Sequence, residues 1–445
     1  MFQHHHTRAI FFLSVTLALA MLLCQSHSAA LASDFTRYKS DGVPPTQLNA
    51  ITQQKVIAPD GTAKDGFGYS SAISDDGTTA VIGTYYIEFG ITYPIGPGGV
   101  YVFTNNAGTW VLQQKLPTPD MPDSDFFGFS VAISADGSTI LVGAQGGTGP
   151  AETQVPGAAY VFTRIDGVWS QQALLTAVDR QVGDHFGVSV ALSDSGDTAL
   201  IGAYVDDVGA NVNQGSAYVY QRSGTTWNEQ AHLISTDGAA QDYFGRSVAL
   251  SADGSIALIG ADMKTIGTIT HQGAAYIFVR TGTVWSQQTR LTALNGGEYG
   301  WFGVGAAISA DGQTALVGAD GSGGFVFTGS GGVWTQQALL TDPDAAYLGW
   351  GNSIALSADG NTALIEDGFT FLRNGDTWAV GERLLADDNP SGFGSAVALS
   401  GDASIALIGA NYATIGTNQK QGAAYFFTKT SFEPQMSIFL PLLVR

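Results

Sequence analysis

Between residues 49 and 429 the chain returns again and again to one pattern of hydrophobic and polar positions, seen in full at residues 127–144, FGFSVAISADGSTILVGA. Val131 and Ile133 alternate with Ser130, Ala132 and Ser134, the period-two pattern of a strand with one covered face. A tight Ala135-Asp136-Gly137 turn follows, and the unbroken apolar run 140–142 predicts a second strand buried on both faces. A third strand is predicted over 157–162 and a fourth from Trp169 to about Leu175, joined through Ile165-Asp166-Gly167.

The copies open on aromatic-glycine pairs: Phe67-Gly68, Phe127-Gly128, Phe186-Gly187, Phe244-Gly245, Phe302-Gly303, Trp350-Gly351 and Phe393-Gly394. Their spacings of 60, 59, 58, 58, 48 and 43 residues are those of a repeat array, and four short antiparallel strands per repeat make a propeller blade. Residues 51–57 align with the fourth strand at 169–175, while the seventh copy runs through its third strand to Phe427 and has no fourth. The predicted fold is therefore all-β: a seven-bladed β-propeller of four-stranded antiparallel blades, closed by an N-terminal strand that completes the last blade. Such closure leaves no open seam, the usual aggregation hazard of β proteins.

The blade motifs FGxSVAIS, TALIGA, GAAYVFTR and WxQQxxL resemble the FG-GAP repeat, the blade unit of the integrin α-subunit propeller, and look closest to its bacterial secreted branch. The resemblance covers residues 49–429 and implies an integrin α-like extracellular module used in adhesion or recognition. One departure limits what it carries over. The calcium loop of integrin-type blades has shrunk to Ser134-Ala135-Asp136-Gly137 and its equivalents, and the third copy has Ser195 where the others have Asp. A single carboxylate is too little for a cation that wants about six to eight oxygens, so no tight calcium site is expected in these turns.

Composition adds compartment and partner class. Residues 9–23 form an apolar run behind Arg8, and Ala30-Leu31-Ala32 supplies the small residues of a cleavage site, so 1–32 reads as a secretory signal peptide. The competing reading, a membrane anchor, needs about 20 apolar residues, and lipidation at Cys24 is a further alternative. Residues 33–48, with Pro44-Pro45, read as a linker, and 430–445, ending IFLPLLVR, as a tail that lies along the rim or serves in sorting. Cleavage removes the single cysteine, which excludes disulfides and thiol nucleophiles. No transmembrane segment is expected in the mature chain. Acidic residues outnumber Lys and Arg 38 to 18, for a net charge of −20, which disfavours nucleic acid and anionic lipid as partners.

Strand alternation puts the short first-to-second and third-to-fourth turns on one face and the long, unequal connections at 84–98, 145–156, 204–214, 262–272 and 411–421 on the other. The connection almost vanishes at Glu366-Asp367. Diverse loops on a uniform scaffold mark a binding face, with drift in unselected loops as the competing reading. Candidate ligand-binding residues there are Tyr85, Tyr86, Tyr93, Tyr204, Asp206, Asp207, Lys264, His271 and Tyr412. Tyrosines suit recognition because a rigid ring gives area at low entropic cost, yet at strand ends they also pack between blades. Shortening the loops at 84–98 and 204–214 is expected to spare folding. Thr265-Ile266-Gly267-Thr268 recurs as Thr414-Ile415-Gly416-Thr417, a sign of internal duplication.

Candidate cation ligands are the interblade pairs Asp120 with Asp125, Asp179 with Asp184, and Asp237 with Asp242, which would bind calcium weakly or simply cap turns. The tryptophans Trp110, Trp169, Trp227, Trp285, Trp334 and Trp378 start successive fourth strands and are expected to cover blade junctions. His185, His232 and His271 occupy three different repeat positions, so no catalytic constellation or cofactor is expected. The functional expectation is a non-enzymatic secreted or surface propeller that binds a protein or glycan. The alternatives are an extracellular carbohydrate-active hydrolase or lyase using carboxylates at the propeller mouth, and a calcium-stabilised adhesive module.

Overall fold

The computed structural model describes residues 51–85, 98–117, 126–148, 154–341 and 351–429. The predicted leader, linker and tail lie outside these residues, as do Tyr86, Tyr93, Asp120 and Asp125. Seven four-stranded antiparallel sheets follow one another in chain order. In the second blade the strands are Phe127–Ile133, Thr139–Ala144, Ala158–Ile165 and Val168–Leu175, as the hydrophobic pattern predicts. The seventh blade contributes Phe393–Leu399, Ile405–Ala410 and Ala423–Thr428, and its outer place is filled by Thr52–Val56. Register there runs from Thr52 opposite Thr428 to Val56 opposite Ala424, so the chain's first described strand closes the ring on its last.

The core lies between blades. Every residue of Thr139–Ala144 is buried, and its side chains pack with Val81, Val100 and Val102 of the preceding blade. Each leading phenylalanine meets the third strand of its own blade edge-on, as Phe127 meets Tyr160 and Phe162 at ring-centroid distances of 5.6 and 5.9 Å. The glycines of the motif permit the blades to touch. Gly128 has a φ of +92°, and a Cβ there would stand 2.7 Å from the carbonyl oxygen of Gly99. Gly143, with ordinary strand backbone, faces the next blade: its Cβ would come within 2.1 Å of the Gly187 carbonyl oxygen.

Side chains then stitch neighbour to neighbour. Ser70 and Ser130 hydroxyls donate to the carbonyls of Gly128 and Gly187 in the following blades, at 2.7 and 2.8 Å. On the outer strands, the Gln114 side chain clasps the Trp169 backbone, accepting from its N–H at 3.0 Å and donating to its carbonyl at 2.9 Å. Gln54 clasps Trp110 in the same way, at 2.7 and 2.6 Å, across the seam where the ring closes. The tryptophans do sit at blade junctions, but unequally. Trp110 and Trp169 are buried, Trp110 lying flat on Phe426 at 4.0 Å, whereas Trp227, Trp285, Trp334 and Trp378 are half-buried. These four each donate their indole N–H to a glutamine of the preceding blade at 3.0 Å, which orients the ring without enclosing it.

The uniform face is fastened by backbone. The Asp194 N–H donates to the Ala252 carbonyl of the next blade at 2.9 Å; Ala252 donates to Ala310, Ala310 to Ala358, Ala358 to Gly401 and Gly401 to Asp75. Each turn is braced internally, as Ser134 Oγ donates to Asp136 at 2.7 Å and the Ser138 N–H donates to the same carboxylate at 2.9 Å. Partial burial works against ionisation of Asp136, but these donors outweigh it and hold the carboxyl below its ordinary range. The turn carboxylates are thus engaged in folding the turn. Structural demand accounts for the sameness of this face.

Candidate functional site

The opposite face is built from the residue after each aromatic-glycine pair and from the connections above it. At that ring position stand Tyr69, Phe129, Val188, Arg246, Val304, Asn352 and Ser395, which surround the upper end of the central channel. One cationic side chain therefore stands in an otherwise uncharged collar. Arg246 is positioned by packing: its guanidinium lies 5.2 Å above the Tyr204 ring, and the other neighbours of Tyr204 are His185, stacked at 5.3 Å, and Tyr243, edge-on at 5.2 Å.

Beside Arg246 a cavity of 340 Å³ opens at the mouth, walled by Tyr204, Tyr243, Asp262, Trp301 and Asn352, with Met263 and Asp320 on its rim. Its residues come from the third to sixth blades. Tall loops stand over the third and fourth blades, and only Asp320–Ser322 and Glu366–Gly368 connect the corresponding strands of the fifth and sixth. The cavity sits where the high wall meets the low rim.

The electrostatics of this mouth are unusual for the molecule. Asp262 is 7% exposed, and burial raises its carboxyl to about 6, an effect that the nearby Arg246 only partly offsets. The Arg246 Nε to Asp262 Oδ2 distance is 3.7 Å, an ion pair without a hydrogen bond. Asp262 Oδ1 and Trp301 Nε1 are buried without hydrogen-bond partners among the described residues. Glu366, whose carboxylate accepts the Gly351 N–H at 2.8 Å, is pushed up to about 7, first by burial and then by Asp367 and Asp320. Burial also raises Asp320.

Of the residues singled out from sequence, Tyr204 lies in this wall. Tyr85 is near the mouth, packed into an aromatic cluster with Tyr69, Phe126 and Phe129 at 4.6 to 5.4 Å. Tyr412 is half-buried with the Lys420 ammonium 5.4 Å from its ring, and His271 meets Tyr299 edge-on at 5.4 Å. Asp207 is exposed and accepts the Asn213 N–H at 2.7 Å.

Asp206 and Lys264 belong to the interior. Asp206 is 5% exposed, accepts the Ser216 hydroxyl and faces His232 at 3.7 Å. Lys264 is 4% exposed, and its ammonium lies 2.7 Å from Asp242 and 3.8 Å from Asp237. The pair Asp237 with Asp242 does converge, and it converges on lysine. Asp237 is further paired with Arg290 and accepts the Tyr276 hydroxyl at 2.8 Å. In the third blade Asp179 accepts the Tyr218 hydroxyl at 3.1 Å and Asp184 accepts the Gln181 N–H. No group of three or more metal-ligating side chains with suitable placement occurs among the described residues.

Three long connections also prove to be braces. Those of the third, fourth and seventh blades share a small bridged hairpin, through Val208 and Asn211, Ile266 and Ile269, and Ile415 and Asn418. Gln214, Gln272 and Gln421 at their ends accept the N–H of Phe244, Phe302 and Phe67 at 2.8, 3.0 and 2.9 Å, which anchors the start of the following blade. The expectation that loop 204–214 could be shortened without affecting folding is therefore corrected: its backbone holds the next inner strand in place. The residues that sequence reasoning missed, Arg246, Tyr243, Asp262 and Trp301, had one visible signal. Arg246 is the sole charged residue at the variable position of the FGxS motif.

Comparisons with known proteins agree with this architecture. No curated protein matches the sequence. The β-propeller domain of Myceliophteria thermophila Cps50 (Swd1), known from a crystal structure, superposes with a TM-score of 0.55 over 85% of this chain and 99% of that one, at 12% identity. That likeness speaks for the fold alone. The FG-GAP repeat matches residues 51–103, 110–162, 169–220, 227–278 and 375–427, each segment running from an outer strand through the first three strands of the next blade. Residues 279–374, between the fourth and fifth segments, form the same sheets with shorter connections, and the chain belongs to the FG-GAP repeat family.

Proposed function

We propose that this chain is a non-enzymatic recognition module of the extracellular space or cell surface, and that it binds a protein or glycan through its long-loop face. The observation that carries this reading is the 340 Å³ cavity at the channel mouth, where a buried carboxyl and a one-third-exposed guanidinium stand among aromatic rings with hydrogen-bonding capacity unspent. A concave site with a few convergent polar groups is the ordinary form of a binding site. The turn face offers the reverse, a girdle whose polar groups are engaged with one another. The propeller is a fold widely used for protein interaction, and acidity at −20 suits a soluble exported protein.

A second reading, an extracellular hydrolase or lyase, is favoured by Glu366 at about 7 and Asp262 at about 6, values that suit a general acid. Both readings meet one experiment: a screen of the full chain against arrayed glycans and surface proteins, with each hit assayed for turnover. Met263→Arg at the rim of the mouth is expected to abolish binding of the hit, and Val168→Lys on the turn face to leave it unchanged. The opposite pattern rejects the long-loop face, and cleavage of a bound glycan rejects the non-enzymatic reading in favour of the second.

A further inference from the structure

The mouth cavity identifies the chemistry of its occupant, an inference that rests on the long-loop face being the binding face. Arg246 is one-third exposed, and its guanidinium makes no hydrogen bond to any described residue. Its five donors are therefore unspent. Its partner in charge, Asp262, is buried and lines the cavity; the backbone N–H groups of Asp262 and Met263 lie near its carboxyl, but Oδ1 completes no hydrogen bond with a described residue. A buried carboxylate oxygen without a hydrogen bond keeps the desolvation cost of that group, which a donor entering the cavity would offset.

The charges narrow the class. An anion would meet Arg246, but also Asp262, Asp320 and the nearby Glu366. A cation would meet those carboxylates, but its natural place over the Tyr204 ring is already taken by the Arg246 guanidinium. A neutral ligand that accepts from Arg246 and donates to Asp262 at once satisfies both. Hydroxyl groups do this, since each is donor and acceptor together, and two adjacent hydroxyls can bridge groups standing 3.7 Å apart. With Tyr204 occupied by His185 and Arg246, the aromatic walls left for an apolar surface are Tyr243 and Trp301, beside the aliphatic Met263 and Val304.

We propose that the cavity takes a neutral pyranose ring, one C–H face laid against Tyr243 and Trp301 and two neighbouring hydroxyls shared between Arg246 and Asp262. The volume of 340 Å³ lies at the low end of the range for small-ligand sites, about 300–1,000 Å³. That size fits the end or a single unit of a glycan. Tyr204 is a positioning residue that holds the guanidinium.

The test is saturation-transfer NMR on the full chain with methyl glycosides of glucose, galactose, mannose and N-acetylglucosamine, alongside arginine methyl ester and glucuronic acid as charged probes. At least one neutral glycoside is expected to receive saturation, strongest on the C–H protons of one ring face. Arg246→Met, which keeps the stem over Tyr204, and Asp262→Leu should each weaken it at least tenfold. Tyr243→Leu should do so as well and provides the measurement if Asp262→Leu does not fold. Silence from all four neutral glycosides, equal signal in the variants, or preference for either charged probe overturns the proposal. If the glycosides are silent while Met263→Arg still blocks a screened partner, the pyranose falls and the recognition face stands; if glycosides bind, the cavity variants do not matter and Val168→Lys rather than Met263→Arg blocks binding, both fall.

Discussion

Asp184 shows how much a repeat position depends on its neighbours. Its counterpart in the fourth blade, Asp242, lies 2.7 Å from the Lys264 ammonium, whereas the place of that lysine in the third blade is taken by a carboxylate, Asp206. Burial, reinforced by Asp206 and Asp179, raises Asp184 from 3.8 to about 6. A carboxyl that holds its proton more tightly in the folded chain than in the unfolded one costs nothing below the unfolded value. It destabilises progressively as pH climbs through the folded value. Asp184→Asn keeps an acceptor for the Gln181 N–H and removes that charge, so it is expected to stabilise the fold at pH 7.5 by on the order of 1–3 kcal/mol. The gain should shrink as pH falls toward 4. Thermal melts of both proteins at pH 4.5 and 7.5 check this, and a gain of equal size at both would refute the charge explanation. Asp76, Asp136, Asp253, Asp359 and Asp402 act in the other sense: donors outweigh partial burial and lower them, so their contribution is lost as pH falls through their folded values.

Among the elements, Thr52–Val56 has the largest consequence for its length. Its five residues pair with Ala423–Thr428, and Gln54 alone clasps Trp110 from the far side of the seam. Lys55 adds an ion pair with Asp388 at 2.6 Å, although both partners are too exposed for it to matter much. Deleting residues 49–57 would bare the edge of the seventh blade and one face of Trp110 and Phe426, at a cost of several kcal/mol against a total of about 5–15 kcal/mol. The truncated chain is expected to melt well below the parent and to associate through the exposed strand. An unchanged melting temperature would contradict closure by this strand. Sequence alignment alone located it, because TQQKV carries the spacing of a fourth strand and the last repeat lacks one.

For the whole molecule, the two faces divide labour. Turn carboxylates on one face are spent on Ser and backbone donors, and the interblade Asp237 and Asp242 are spent on Lys264 and Arg290. Calorimetric titration of calcium into the full chain is therefore expected to show no sub-micromolar sites. Several such sites would mean that the turns rearrange around the metal. The other face brings Arg246, Asp262 and Trp301 together over the third to sixth blades, where unequal loop heights leave room for a ligand.

The number of blades, their strand order, the strand that closes the ring and the uniformity of one face are legible in the order of the residues. All of these follow from local periodicity and from counting repeats, which need no knowledge of distance. Which polar residues remain free depends instead on packing in three dimensions. Asp206 and Lys264 lie in loops of the binding face by their numbers and inside the blades by their contacts, because each loop folds back as a brace onto the next inner strand. Arg246 and Asp262 meet at the end of the paired strands Phe244–Leu250 and Ile256–Ala261 of the fourth blade, where Phe244 stands opposite Ala261, and Trp301 reaches them from the start of the fifth blade because successive blades turn about one axis. Repeat alignment records what occupies each position, whereas a site between blades arises from what each position is turned toward.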